Sequence, residues 1–129
     1  MRLDGWEGRL ELMLGQVGPF EWGTNDCCMF AVSAVEAITG VDYGKPYRGY
    51  KTQRGAATRL LKAGGVEAIA TKALGEPKSR KLAKRGDVVS LFSDEQISLG
   101  VCVGDKIAAV SDNGLVLIPM NQAINAWSV

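Results

Sequence analysis

Trp22-Gly23-Thr24-Asn25-Asp26-Cys27-Cys28-Met29-Phe30, continued by an apolar run to Thr39 and closed by Gly40, is the stretch on which the fold turns. Asn25 or Asp26 is placed to cap a helix, and Gly40 is placed to end it in the left-handed conformation that only glycine adopts cheaply. The run between them is apolar on nearly every side, so it reads as a buried helix. Upstream, Trp6, Leu10, Met13, Leu14 and Val17 recur at helical spacing over Trp6–Val17, with Asp4 as its expected N-cap and Gly18-Pro19 as its stop. Pro19 to Asp26 is a turn-rich loop carrying two aromatics, Phe20 and Trp22.

Downstream, the stretch 41–53 contains Gly44, Pro46 and Gly49 among Tyr43, Tyr47 and Tyr50, the pattern of a long loop with aromatic anchors. Two shorter helices follow, 54–63 ended by Gly64-Gly65 and 66–74 ended by Gly75. The run from Lys78 to Arg85 has five Lys or Arg in eight residues and reads as a solvated loop, contact with an acidic partner or nucleic acid being the alternative. After it the period changes. Segments 88–92, 97–103, 106–111, 115–119 and 123–129 are short and rich in Val, Ile and Leu. Asp112-Asn113-Gly114 punctuates them as a hairpin turn, where Asn and Gly tolerate positive φ. Helices followed by an antiparallel meander of about four to five strands give an α+β fold in one domain, residues 1–129.

Composition narrows the function. The 129 residues carry 15 Lys plus Arg against 14 Asp plus Glu, a net charge of +1 that argues against a dedicated nucleic-acid binder. No apolar run approaches the ~18–20 residues of a membrane span. The first residues, Met1-Arg2-Leu3-Asp4, are not followed by the apolar core of a signal peptide, so synthesis in a cytosol is expected. The chain has no histidine. It therefore cannot by itself build a Ser-His-Asp triad, a Cys-His pair or a His-ligated zinc site.

The three cysteines, Cys27, Cys28 and Cys102, are neither a disulfide framework nor a four-thiolate metal site. Their convergence on a metal or a redox role is a weaker possibility, and neither a metal nor a cofactor is expected. Two readings of Cys27 and Cys28 stand side by side. Both can be small hydrophobes packing the start of a helix. Alternatively, the unpaired N–H groups and dipole of a helix N-terminus lower a thiol pKa and make a nucleophile. Cys102, mid-strand, should point to the face opposite Val101 and Val103. Trp6 and Trp127, near the two ends, are candidate anchors.

Asp26-Cys27 at the start of an apolar helix, then Arg85-Gly86-Asp87-Val88-Val89, then Leu99-Gly100-Val101-Cys102-Val103-Gly104, resembles the NlpC-type cell-wall peptidases, which are papain-like cysteine hydrolases. The segment from Pro19 through Cys28, the Tyr47-Arg48-Gly49-Tyr50 loop and the Ala126-Trp127 ending look like a small group of that type encoded among tail genes of bacteriophages. The resemblance runs from about Pro19 to Val129. It implies a papain-like NlpC-type fold with Cys27 at the nucleophile position. It places Ser98 where the family has its histidine, and Ala109 where it has the residue that orients that histidine. Trp22, Asp26, Cys28 and Asp87 become the cleft candidates, with Asp26 and Asp87 the nearest carboxylates. A serine cannot accept the thiol proton near neutral pH, and an alanine orients nothing.

The resemblance thus implies a virion component of a phage tail tip or baseplate, made in the host cytoplasm. In it a peptidase-like module serves assembly with other tail proteins such as the hub and the central fibre; the charge balance and hydropathy, for their part, lead us to expect no nucleic-acid partner and no membrane span. The alternative it leaves is an active cysteine hydrolase of peptidoglycan, using Cys27 to open the cell wall during DNA entry.

Overall fold

In a computed structural model that describes residues 1–129, the buried helix is α2 (Cys27–Thr39). Asp26 has extended backbone and accepts a hydrogen bond from the Met29 N–H at 2.9 Å, the geometry of an N-cap. Gly40 ends the helix at φ 78°. Only Ser33 and Glu36 of α2 are exposed, as expected of a helix packed on several sides.

Before it lies α1 (Trp6–Gly15), two residues shorter than its periodicity predicts. Asp4 does not cap it. The N-cap is Gly5, left-handed at φ 75°, and the chain enters through a turn that leaves the first N–H groups without a side-chain acceptor. Leu10 is fully buried against α2, and Arg9 clamps the two helices by donating to the Ala37 carbonyl at 2.6 Å. In the loop after α2 a short 3₁₀ turn spans Lys45–Tyr47. Then come α3 (Gln53–Ala63), capped by Thr52, and α4 (Val66–Leu74), joined through Gly64-Gly65 as the glycines suggest.

The sheet has six strands: β1 (Lys78–Ser79), β2 (Val88–Ser93), β3 (Gln96–Cys102), β4 (Lys106–Ser111), β5 (Gly114–Pro119) and β6 (Ala123–Trp127). Their order is β1-β6-β2-β3-β4-β5, and every neighbouring pair is antiparallel. This corrects the sequence expectation twice. The last segment does not continue the meander but returns across the molecule to pair with β2. The basic run is not simply a solvated loop: Lys78-Ser79 adds an edge strand, and Arg80 donates to the Asn121 carbonyl. The turns also divide differently. Of the 112–114 turn only Gly114 has positive φ (102°). The turn between β2 and β3 places both Asp94 and Glu95 there, at 50° and 65°.

The sheet separates two cores. Val88, Leu99 and Val101 face α2 and α4 together with Trp127, whose indole N–H donates to the Thr71 hydroxyl at 3.1 Å. Val89, Leu91, Cys102, Ile107, Ala123 and Ala126 form the core of the opposite face. No helix is long and apolar enough to cross a membrane.

Candidate functional site

The loop ahead of α2 is tied to the end of β4, where the Phe20 N–H donates to the Ser111 carbonyl at 2.9 Å. Asn25 steadies the loop from within by donating its amide to the Gly18 and Pro19 carbonyls. Between β3 and β4 only Val101–Ala108 and Cys102–Ile107 are paired, so the first half of β3 is left without a β4 partner. The start of α2 meets that half. Cys27, the first residue of the helix, is half-buried, and the Leu99 backbone N–H and the Ser98 hydroxyl bear on its thiol from β3. Residues 71 positions apart in sequence thus share one site.

The electrostatics favour the packing reading of the two cysteines over the nucleophile reading. A helix N-terminus should lower the Cys27 pKa, yet it is raised. Burial is the largest cause; the Leu99 N–H opposes it, the negative charge of Asp26 adds to it, and Ser98 and the Cys28 N–H oppose it more weakly. Cys28, buried against Met29, Val32 and Ile69, is pushed up to about 12, chiefly by burial and then by the charges of Cys27 and Asp26. Both thiols therefore stay protonated at neutral pH.

Asp26 is 2% exposed and occupied on every side. Besides the Met29 N–H, its carboxylate accepts from the Gly23 N–H at 3.0 Å and from the Tyr50 hydroxyl. Three donors make it the clasp between the α2 cap and the tyrosine loop, not a free base beside Cys27. Gly23 sits at φ 84°, and a Cβ there would lie 2.0 Å from the Tyr50 carbonyl oxygen, so the loop closes only on glycine. Tyr50, with its phenol pKa raised by burial and by Asp26, is the anchor among the three tyrosines that reaches the site.

The remaining candidates scatter. Trp22 is half-buried and packs edge-on against Phe20, with ring centroids 4.7 Å apart. Ala109 is buried on β4, one residue beyond the last pair with β3, and has no polar atom to offer. The structure does not bring Asp87 to Cys27. It stands at the start of β2, beside the Cys102 end of β3 and so at the far end of that strand from Ser98. There it accepts from Arg2 at 3.0 Å, Lys78 at 2.8 Å, and the Lys84 and Val129 N–H groups at 2.8 and 3.1 Å. Cys102 lies in the far-face core with its thiol toward the Gly104 carbonyl, while Cys28 packs against α4. The three thiols do not converge, and no group of three His, Cys, Asp or Glu is placed to hold a metal ion.

Sequence reasoning missed one polar cluster. Glu67 of α4 accepts from the Ser90 hydroxyl at 2.8 Å and from the Asn125 amide at 2.9 Å, locking α4 to β2 and β6. No motif announces it, because its members lie on three separated elements.

A family model described as domain of unknown function (DUF6950) matches residues 1–129. The chain belongs to the DUF6950 family. No curated protein matches it. In this DUF6950 chain, then, the site consists of Cys27 set against Ser98 and Leu99, with Asp26 and Tyr50 fixing the helix start that carries the thiol.

Proposed function

We propose that the chain is a papain-like, NlpC-type module whose hydrolase chemistry has lapsed, retained as an assembly piece of a bacteriophage tail tip or baseplate beside other tail proteins. The observation that carries the first part is the packing of Cys27 against the Leu99 region of β3: burial raises the thiol pKa, and neither Leu99 nor the neighbouring Ser98 can take its proton. A general base contributes ~10²–10⁴ in rate, and neither Ser98 nor the occupied Asp26 supplies one. The tail setting comes from the resemblance of the Pro19–Cys28, Tyr47–Tyr50 and Ala126-Trp127 segments to phage-encoded relatives of that type.

One feature favours a second reading, a working peptidoglycan hydrolase. Cys27 keeps some exposure, and three polar groups, the Leu99 and Cys28 N–H and the Ser98 hydroxyl, bear on its thiol. In that reading a histidine of a partner chain takes the thiol proton, Cys27 Sγ attacks a stem-peptide carbonyl, the amine leaves with that proton, and water then cleaves the thioester, freeing the acid and restoring the thiol. The test is release of labelled peptidoglycan fragments by the isolated protein and by Cys27→Ala, side by side at several pH values. The expected outcome is no release from either. Release by the wild type that vanishes in Cys27→Ala overturns the lapsed-enzyme reading.

A further inference from the structure

A second concave surface is lined by residues other than Cys27 and its neighbours on β3. Between the Lys45–Tyr47 turn, α3 and α4 runs an open cleft of about 530 Å³ lined by Pro46, Tyr47, Arg59, Lys62, Ala63, Ala68 and Lys72. The volume falls in the ~300–1,000 Å³ range of ligand clefts. Arg59, Lys62 and Ala63 share one face of α3 at spacings of three and four residues. Ala68 and Lys72 do the same on α4. Small side chains thus sit among the three cations, with Pro46 and Tyr47 adding an apolar edge.

None of the three cations is ion-paired: the four salt bridges of the molecule use Arg2, Arg48, Lys78 and Arg85. The acids that could have neutralised the cleft are engaged elsewhere. Glu67, the one acid of α4, is turned to Ser90 and Asn125. Asp42 is held by Arg48 at 2.6 Å. α3 has no acidic residue. In a chain of net charge +1, three uncompensated cations in one concave site are a local segregation of charge.

We infer that this cleft binds a carboxylate-rich peptide segment of a partner protein. Arg59 offers the planar fork that fits a carboxylate, Lys62 and Lys72 add point charges, and Tyr47 and Pro46 supply apolar contact beside them. Nucleic acid fits less well. Non-specific duplex binding rests on a track of ~6–10 phosphate contacts, whereas here three cations fill a single cleft. The inference extends the assembly reading but stands on separate residues, so the wall-release assay decides Cys27 and a binding assay decides the cleft.

The assay is fluorescence anisotropy of a labelled hexaglutamate peptide titrated with the full chain, with hexaglutamine and an oligothymidylate of equal charge as competitors. Saturable binding that weakens with salt is expected. Lys62→Glu combined with Lys72→Glu, both at exposed positions, should weaken it about tenfold or more, while circular dichroism confirms an unchanged fold. The same charge change at Lys81 and Lys106, outside the cleft, should leave it within about twofold. Absence of saturable binding overturns the inference, as does equal weakening by both double variants. Competition by oligothymidylate as strong as by hexaglutamate overturns it in favour of nucleic acid.

Discussion

Asp26 and Asp87 show how one residue type serves two ends of the molecule. Each is buried and each is satisfied by several donors, so no buried side-chain polar atom is left without a partner. The thiols near Asp26 carry a pH signature. Cys28 is raised from an ordinary 9.0 to about 12, first by burial and then by the neighbouring charges of Cys27 and Asp26. Across that window the unfolded chain releases the proton while the native chain keeps it. The associated stability is complete below pH 9 and is lost as pH rises toward 12. Urea midpoints followed through this range should fall by an amount worth a few kcal/mol. Cys28→Ala should be less stable at neutral pH, because it opens a cavity, yet show a shallower alkaline decline. Cys27 and Tyr50, also raised, keep the decline from vanishing.

At the scale of elements, the site exists because β3 and β4 part company. They pair through Val101 and Cys102 only, and Gly100 marks the edge of that contact. A Cβ at Gly100 would lie 2.5 Å from the Ile107 Cγ2 and 2.9 Å from the Ala108 carbonyl oxygen, so the strands approach that closely only over a bare backbone. Gly100→Ala should therefore cost about 1–3 kcal/mol in urea unfolding, the usual range for overpacking. Gly8→Ala, in the first turn of α1 with open space around it, should instead stabilise by about 0.4–1 kcal/mol. A Gly100→Ala protein as stable as wild type would mean that β3 and β4 yield more easily than their packing implies.

Over the whole molecule, the two chain ends are fastened to one carboxylate. Arg2 and the Val129 N–H both reach Asp87 Oδ1, Lys78 and the Lys84 N–H reach Oδ2, and the Arg2 guanidinium also donates to the Val129 and Arg85 carbonyls. That arrangement converts the basic run from surface charge into part of the frame. Asp87→Asn leaves Arg2 and Lys78, both mostly buried, facing a neutral amide. It should lower stability by about 3 kcal/mol. Limited proteolysis should then cut near residue 2 and within 78–85 before the sheet unfolds. Equal protease resistance in wild type and variant would show that the ends are held by packing instead.

Much of the fold was legible in the chain because it rests on local rules. Asp26 and Gly40 bracket α2, Thr52, Gly64 and Gly75 mark α3 and α4, and the Val- and Ile-rich segments become β2 to β6 within a few residues. The charge balance and the missing histidine were equally plain. Tertiary structure decided what depends on distant neighbours. It returned β6 to β2 and drew Lys78-Ser79 into the sheet to serve the buried Asp87. It set Cys27 against Ser98, and it raised the Cys27 pKa where the helix end alone would lower it. Caps, turns and periodicity act over a few residues and can be read in order along the chain. Burial and pairing depend on which segments meet, and desolvation at Cys27 outweighs the N–H and hydroxyl groups that bear on its thiol.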